Sequence, residues 1–478
     1  MTTARIDEAA ETLIIAGAGQ RPATAELVGP RARVAARITG GGKTWKATFP
    51  LRASRWGGAE LPLPTGDYDI RVSGVELDAP EITPQVLAGV RIAVEGNIAR
   101  IAAPVDPAYE TAEGQSTLEG RYVAHPGGTE NAVFFESFYG RSVGCNPQAI
   151  DRALSAQAPD VVRYWSVVDL SVAVPEGAIA VVEGSPEWWR ARAAARLLIV
   201  NDWLRRRFAR KPGQKVLQTW HGTPLKRLAL HRPGFDPRRM AAVVKESRRW
   251  DVLLAQNTYS ERILRKAYAF LGRPIWVEGY PRDDSLVTGD AAAIRAALGI
   301  ADGERVLLYA PTWRDDRSEM VDFVDPEALA GQTDSVVLVR GHSRTIHTDR
   351  DRSGARVIDV TGYPETSQLL LAADALITDY SSVMFDFSVT GKPMYFLVPD
   401  LEHYRGALRG FYFDLEARAP GPLVHSQDEL VSALADVTHE KVYAERYTAW
   451  RAQFNSRDDG HAAERVVARI LDQGYVTR

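Results

Sequence analysis

From about residue 130 onward the chain repeats one pattern, a short continuous apolar run followed by an amphipathic helical stretch. The runs are Asn131 to Phe135, Ile179 to Val182, Leu197 to Val200, Val216 to Trp220 and Val252 to Ala255. After Pro281 they restart with Val306 to Tyr309, Val336 to Arg340, Ala355 to Asp359, Ala375 to Thr378 and Pro393 to Leu397. An unbroken apolar run has no polar face to turn to water, so each strand must be covered on both sides. Such strands alternating with helices fold as a parallel sheet between helical layers. The restart predicts two successive parallel-sheet domains. Ligands of open α/β sheets sit beyond the carboxyl ends of the strands, so chemistry is expected in a cleft where the two domains face each other.

The first hundred residues read differently. Short β-rich runs (Arg33 to Ile38, Trp45 to Leu51, Tyr68 to Val72, Val90 to Val94) are separated by Gly and Pro clusters, without a helical period, which predicts a small β-sandwich. Pro104 to Gly120 is rich in Pro, Glu, Thr and Gly and reads as a linker. The expected division is therefore a β-sandwich-like accessory domain at 1–105, a linker at 106–125, and Rossmann-like domains at 126–285 and 286–478. A length of 478 residues suits three domains.

Composition removes several classes. The chain is 45% apolar and 25% charged, ordinary for a folded soluble protein, and its net charge of -3 gives no global attraction to nucleic acid or membrane. A single cysteine, Cys145, forms no internal disulfide and is no metal site, so a reducing compartment and a structural role are expected. No apolar stretch reaches 18 residues, and Met1 to Gly17 has acidic residues where a signal peptide would be basic, so neither a membrane span nor secretion by that route is expected. No repeat of fixed period is present.

Two strand ends carry the chemistry. In Leu217-Gln218-Thr219-Trp220-His221-Gly222-Thr223-Pro224-Leu225-Lys226 an apolar strand leads into a His-Gly pair, and Thr223 and Pro224 suit the cap and first position of a helix. A helix start there would offer free N–H groups to a phosphate, with His221 beside it as a general base; the alternative is a structural histidine. In Ala375 to Asp386 the same strand, turn and helix order places Ser381 and Ser382 at the turn, with Gly391 and Pro393 closing the helix. The two hydroxyls suggest a second phosphate cradle in the second domain, with Asp379 and Asp386 orienting it, or simple capping. Tyr309-Ala310-Pro311-Thr312-Trp313-Arg314 and Leu338-Val339-Arg340-Gly341-His342-Ser343 also stand at strand ends; His342 mirrors His221, and Trp313 could stack on a base or close the domain edge.

Between Asp202 and Arg273 there are 18 Lys or Arg against 5 acids, a local net of +13. This basic surface, including Arg205, Arg210, Lys226, Arg227 and Arg248, could meet a polyanion or an anionic membrane; nucleic acid is less favoured, because no binding motif accompanies the charge. Asp315-Asp316 in a loop is weak evidence for a metal site, and no His, Cys and carboxylate cluster has ligand spacing. A Walker loop and a GxGxxG fingerprint are both absent. No tightly bound cofactor is expected, and the residues do not decide whether Mg²⁺ is required.

Taken in order, Phe135-Glu136-Ser137-Phe138, Gln218 to Lys226, Gly279-Tyr280-Pro281-Arg282, Tyr309 to Asp315, Ile377 to Phe387 and Leu408 to Asp414 resemble the CDP-glycerol glycerophosphotransferase family, over about residues 130 to 435. The resemblance implies a GT-B-type fold, an acceptor-side domain followed by a CDP-donor-binding domain, and transfer of glycerol phosphate from CDP-glycerol to an anionic lipid-linked chain on the cytoplasmic face of the membrane. It implies His221 and His342 as the functional histidines, donor contacts from Pro311, Thr312, Trp313, Arg314, Arg340, Asp379, Ser381 and Ser382, and acceptor or phosphate contacts from Gly222, Thr223, Lys226, Arg227 and Arg282. Gly341 and Ser343 depart from the family pattern around the second histidine, where members carry a bulkier residue and an aromatic. The alternatives are a CDP-ribitol-using transferase, a GT-B nucleotide-sugar glycosyltransferase, and a non-catalytic membrane-associated scaffold.

Overall fold

A computed structural model of the chain describes residues 2–54, 56–127, 130–312, 323–341, 356–408 and 410–478. Residues 3–102 form an antiparallel β-sandwich. A four-stranded sheet ordered Thr3–Asp7, Thr12–Ala18, Thr44–Pro50, Arg37–Gly41 packs on a larger one that includes Ala25–Val28, Gly66–Val72, Val90–Glu95 and Ile98–Ala102. Alternation dictates the core: in Thr44–Pro50 every second side chain, Trp45, Ala47 and Phe49, turns inward onto Leu13, Leu27 and Ile70.

Two parallel sheets follow, as expected. The first has seven strands among the described residues, ordered Ile179–Val182, Val162–Val167, Glu130–Glu136, Ala195–Val200, Lys215–Gln218, Val252–Ala255, Ile275–Val277. The second has six, ordered Val357–Asp359, Ser335–Val339, Arg305–Ala310, Ala375–Thr378, Met394–Leu397, Leu423–Val424. Adjacent residues of one strand enter opposite cores: Phe134 packs with Trp188 and Leu253, whereas Val133 and Phe135 pack with Ile150 and Trp165. This burial on both faces is why the strands read as unbroken apolar runs. The two sheets face each other across a cleft, the GT-B arrangement.

Three strands escape the apolar-run reading. Val162–Val167 contains Arg163 and Ser166, whose polar groups are satisfied inside the domain by Asp151 at 3.1 Å and Glu136 at 2.8 Å. Ile275–Val277 and Leu423–Val424 are too short to show a pattern.

Two boundaries are corrected. The 106–125 segment is helical, Pro107–Glu110 and then Ala112–Ala124, with Asp106 and Thr111 accepting bonds from the freed N–H groups. It buries Leu118 and Tyr122 in the first sheet domain, so it is part of that domain's packing rather than a free tether. The second domain does not keep the end of the chain. Helix Ala462–Asp472 crosses back, capped by Asp284, whose carboxylate accepts from Ala462 N at 2.9 Å and Ala463 N at 2.8 Å. Its apolar face, Val466, Val467 and Ile470, is buried against Ile150 and Leu154 of the first domain.

That return helix should be structurally required. Ile470→Ala is expected to lower unfolding stability by about 2–4 kcal/mol in urea denaturation, whereas Val437→Ser, at a side chain 95% exposed, should change it by less than about 0.5 kcal/mol.

Candidate active site

His221 owes its position to the turn after Lys215–Gln218. The Gln218 side chain accepts from Trp220 N at 2.9 Å and donates to Asp202 O at 2.9 Å, and Trp220 takes a left-handed φ of 55°. That reversal, uncommon for a bulky residue, swings His221 out of the sheet and into the cleft. Asn146 Nδ2 donates to the carbonyls of Thr219 and Trp220 at 3.3 and 3.2 Å, fixing the same turn from helix Cys145–Gln157. The imidazole stacks on Trp220, with centroids 4.8 Å apart and planes at 22°, and its Nδ1 lies 2.6 Å from Asn201 O. A carbonyl only accepts, so Nδ1 carries the proton, and in the neutral ring Nε2 is left with its lone pair. Asn201 is in turn gripped, donating to Ser137 Oγ at 3.0 Å and accepting from Phe138 N at 2.9 Å. Sequence reading missed Asn201 as a residue that orients His221; its signal was its place one residue beyond the strand Ala195–Val200.

No helix begins at Thr223. Its hydroxyl is occupied by Gln256 Oε1 at 2.5 Å and Ser260 Oγ at 3.0 Å, and the chain runs on extended. Lys226 bridges to Phe411, Tyr412 N donates to Leu225 O at 2.8 Å, and Arg227 N donates to Gly410 O at 3.0 Å. Pairing with the second domain outcompetes the local cap and proline signal. The expected phosphate cradle beside His221 is thus not a helix N-terminus, and Thr223, Lys226 and Arg227 lie outside the residues that line the cleft.

The second turn is placed as read. Strand Ala375–Thr378 leads through Asp379 and Tyr380 to Ser381 and Ser382, and Gly391 ends the helical stretch with φ 74°. Ser382 makes no capping bond, and Ser381 Oγ is 3.5 Å from Val383 N, too long to occupy the hydroxyl. Capping therefore does not explain the pair. Asp379 Oδ1 accepts from Thr312 N at 2.9 Å and Tyr380 N at 2.5 Å, which pins the Pro311-Thr312 strand end to this turn. Arg340 donates to the carbonyls of Val360 and Tyr363, each at 3.0 Å, and burial lowers its guanidinium to about 10. Trp313, Arg314 and His342 lie outside the described residues.

The two turns meet. A Cβ on Gly222 would fall 2.6 Å from Ser382 Oγ, so only glycine lets the His221 turn approach the serines this closely. Both turns line a cleft of about 1550 Å³, together with Pro311, Arg340 and Arg282. Below them, Arg282 Nη1 donates to His221 O and Cys145 Sγ, each at 3.0 Å, and Nε and Nη2 hold Asp386 Oδ1 at 2.9 and 2.6 Å. Asp386 is thus the carboxylate partner of Arg282. Burial opposes the Arg282 charge, but Asp386, Cys145 and Asp283 outweigh it and hold the guanidinium well above its usual range. Burial and then Asp386 push the Asp283 carboxyl well above the usual carboxylate range. Among the described residues no group of three or more His, Cys, Asp or Glu is placed to hold a metal ion.

The family described as CDP-Glycerol:Poly(glycerophosphate) glycerophosphotransferase matches residues 121–472. The chain is 35% identical to a teichoic acid glycerol-phosphate transferase of Staphylococcus aureus over 377 residues, covering 72% of this chain and 93% of that protein. It is also 35% identical to a teichoic acid poly(glycerol phosphate) polymerase of Bacillus subtilis over 361 residues, 71% of this chain but only 48% of that protein. The chain thus spans about half the length of the Bacillus polymerase. A solved structure of the wall teichoic acid polymerase TagF superposes with a TM-score of 0.70 at 30% identity, covering 76% of this chain and 94% of that one.

A buried neighbour of this site makes a pH test. Burial raises the Asp458 carboxyl from 3.8 to about 6, against hydrogen bonds from Asn455, Tyr280 and Gln256. The unfolded chain releases this proton first, so the group's contribution to stability is fully present below its unfolded value of 3.8 and is lost as pH rises through about 6, a change of about 3 kcal/mol. Carboxyl-detected NMR on ¹³C-aspartate-labelled protein should find a carboxyl with a midpoint near 6; its absence contradicts the assignment.

Proposed function

The chain belongs to the CDP-glycerol:poly(glycerophosphate) glycerophosphotransferase family, and from that premise we propose that it transfers glycerol phosphate from CDP-glycerol to a hydroxyl of an anionic lipid-linked polyol-phosphate chain. The acceptor oxygen attacks the β-phosphorus in line. Nε2 of His221 takes the hydroxyl proton, and the bond from the β-phosphorus to the bridging oxygen breaks, the electron pair leaving with CMP. CMP leaves as an anion of a strong acid, so no strong general acid is required.

The observation that carries this reading is the approach of the His221 turn to Ser382 across the cleft. It sets a base with a free Nε2 opposite two hydroxyls that no cap consumes. Ser381 and Ser382 would donate to the pyrophosphate oxygens, with Pro311, Thr312, Arg340 and Asp379 shaping the donor side. His342, Trp313 and Arg314 are assigned there by family resemblance. Gly222 provides close approach, and Arg282 keeps the His221 turn and the serine helix in one frame. Thr223, Lys226 and Arg227 are reassigned to holding the turn and the second domain together.

Attachment to the cytoplasmic membrane face would rest on charge, since no described helix is long and apolar enough to cross a bilayer. Part of the 202–273 basic stretch is already paired within the chain: Arg205 and Arg206 pair with Glu183, Arg210 with Asp251, and Arg249 with Glu246. Lys245 and Arg248, beside a hollow floored by Phe208, are left for anionic headgroups.

Purified protein with CDP-glycerol and a glycerol-phosphate-primed lipid should release CMP only when the acceptor is present. His221→Ala should lower kcat by about 10²–10⁴ while CDP-glycerol affinity stays within a few-fold. Near-normal turnover by that variant would remove His221 as the base. Turnover of CDP-ribitol in place of CDP-glycerol would reassign the polyol, and of a UDP-sugar the reaction.

A further inference from the structure

The β-sandwich lies outside the residues matched by the family, which begin at 121. It nevertheless forms a wall of the cleft. Residues from Pro30 to Arg33 and from Ala53 to Thr65 line it, opposite Phe138 to Ala173 of the first sheet domain.

This wall is held in place from both sides. Asp169 of the first sheet domain, 2% exposed, accepts from Arg31 Nη1 at 2.5 Å, Thr65 N at 3.0 Å and Thr65 Oγ1 at 2.8 Å. Burial works against the Asp169 charge, but Arg31 and these donors hold its carboxyl below the usual range. On the other side Trp56 packs edge-on against Tyr363 of the second domain, with ring centroids 5.4 Å apart. The sandwich is therefore seated against both sheet domains rather than tethered beside them.

The parts of the chain that line the cleft differ in charge. Among the described lining residues, the sandwich and the Phe138 to Ala173 face supply four arginines, Arg31, Arg33, Arg141 and Arg152, and no carboxylate of their own. The six carboxylates among the described lining residues, Asp283, Asp284, Asp359, Glu365, Asp386 and Glu464, all come from residue 283 onward, where Arg282 and Arg340 also line the cleft and Glu365 reaches Arg152 of the opposite face. Arg31 and Arg152 are spent on Asp169 and Glu365, each at 2.5 Å. Arg33 has only a 3.6 Å pairing with Glu26, and Arg141 is exposed with no side-chain partner among the described residues. Arg141 stands three residues after Phe138, whose ring centroid is 5.8 Å from that of His221. Arg141 and Arg33 thus line the same cleft as the proposed base, one from each facing wall. A cleft of about 1550 Å³ also exceeds the roughly 300–1,000 Å³ that one small ligand needs, leaving room for a second.

Resting on the glycerophosphotransferase reading, we propose that the β-sandwich and the face opposite it form a subsite for the acceptor chain, an anionic phosphodiester-linked polyol. Its terminal hydroxyl lies at His221, and its preceding phosphates run along Arg141 and Arg33. Each contact is solvent-exposed and individually weak, so recognition grows with the number of phosphates engaged and weakens with salt. The arginines act on the acceptor alone, since the donor's pyrophosphate lies on the serine side.

The test uses the full chain carrying Arg33→Ala and Arg141→Ala together; both side chains are exposed, and the melting temperature should match wild type. Against soluble glycerol-phosphate oligomers of several units, the acceptor KM should rise about tenfold, with kcat within about twofold and the KM for CDP-glycerol unchanged. With a one-unit acceptor the rise should be under about twofold, and Arg33→Lys with Arg141→Lys should restore most of the loss. An equal rise at both lengths, no rise, or a fall confined to kcat would overturn the subsite. Calorimetric titration of the same oligomers without donor separates this proposal from the reaction it rests on. If wild type turns over no CDP-glycerol yet binds the oligomer, and the double variant loses that binding, the subsite stands while the reaction falls. Equal binding by the two proteins overturns the subsite whatever the turnover.

Discussion

The guanidinium of Arg282 holds three parts of the chain at once: the carbonyl of His221, the sulfur of Cys145 at the start of helix Cys145–Gln157, and the carboxylate of Asp386 in the second domain. A planar fork with five donors can do this, where an ammonium could not hold the same fixed directions. Its side chain is 14% exposed and that of Asp386 is 6% exposed, so neither charge is tolerable alone. The pairing therefore fixes the frame in which the histidine turn and the serine turn face each other.

That frame explains features that local rules leave odd. Thr223-Pro224 has the chemistry of a helix start, yet the chain pairs with the 410–412 segment instead, because the threonine hydroxyl is taken by Gln256 and Ser260. Trp220 adopts a left-handed backbone because Gln218 grips its N–H, and only that reversal brings His221 to the cleft. In each case a contact distant in sequence overrides a local preference, and the override falls at the site.

Much of the architecture was legible because burial on both faces leaves a plain signature. Ile179–Val182, Val252–Ala255 and Ala375–Thr378 fall where the apolar runs stand. The sandwich strands likewise follow their period of two. What sequence could not show was pairing. Arg163 hides a buried strand because Asp151 neutralises it, and the helix at 462–472 gives no sign that its apolar face belongs to the first domain. At the site, residue types at strand ends pointed to His221, Ser381 and Ser382. The approach of Gly222 to Ser382, the Asn201 carbonyl behind His221 and the reach of Arg282 are three-dimensional facts with no local code. The β-sandwich was legible as a fold, while its seat against both sheet domains was not.

The central claim is a single in-line displacement, with one base, His221, on the acceptor side and no group of the protein bonded to phosphorus in between. The stereochemistry at the transferred phosphorus tests this most directly. CDP-glycerol made chiral by sulfur and oxygen isotopes at the β-phosphorus would be turned over once and the product configuration determined by ³¹P NMR. One displacement inverts the centre, and inversion is the predicted result. Retention would require two displacements through a phosphorylated side chain, and would contradict the assignment of His221 as a base.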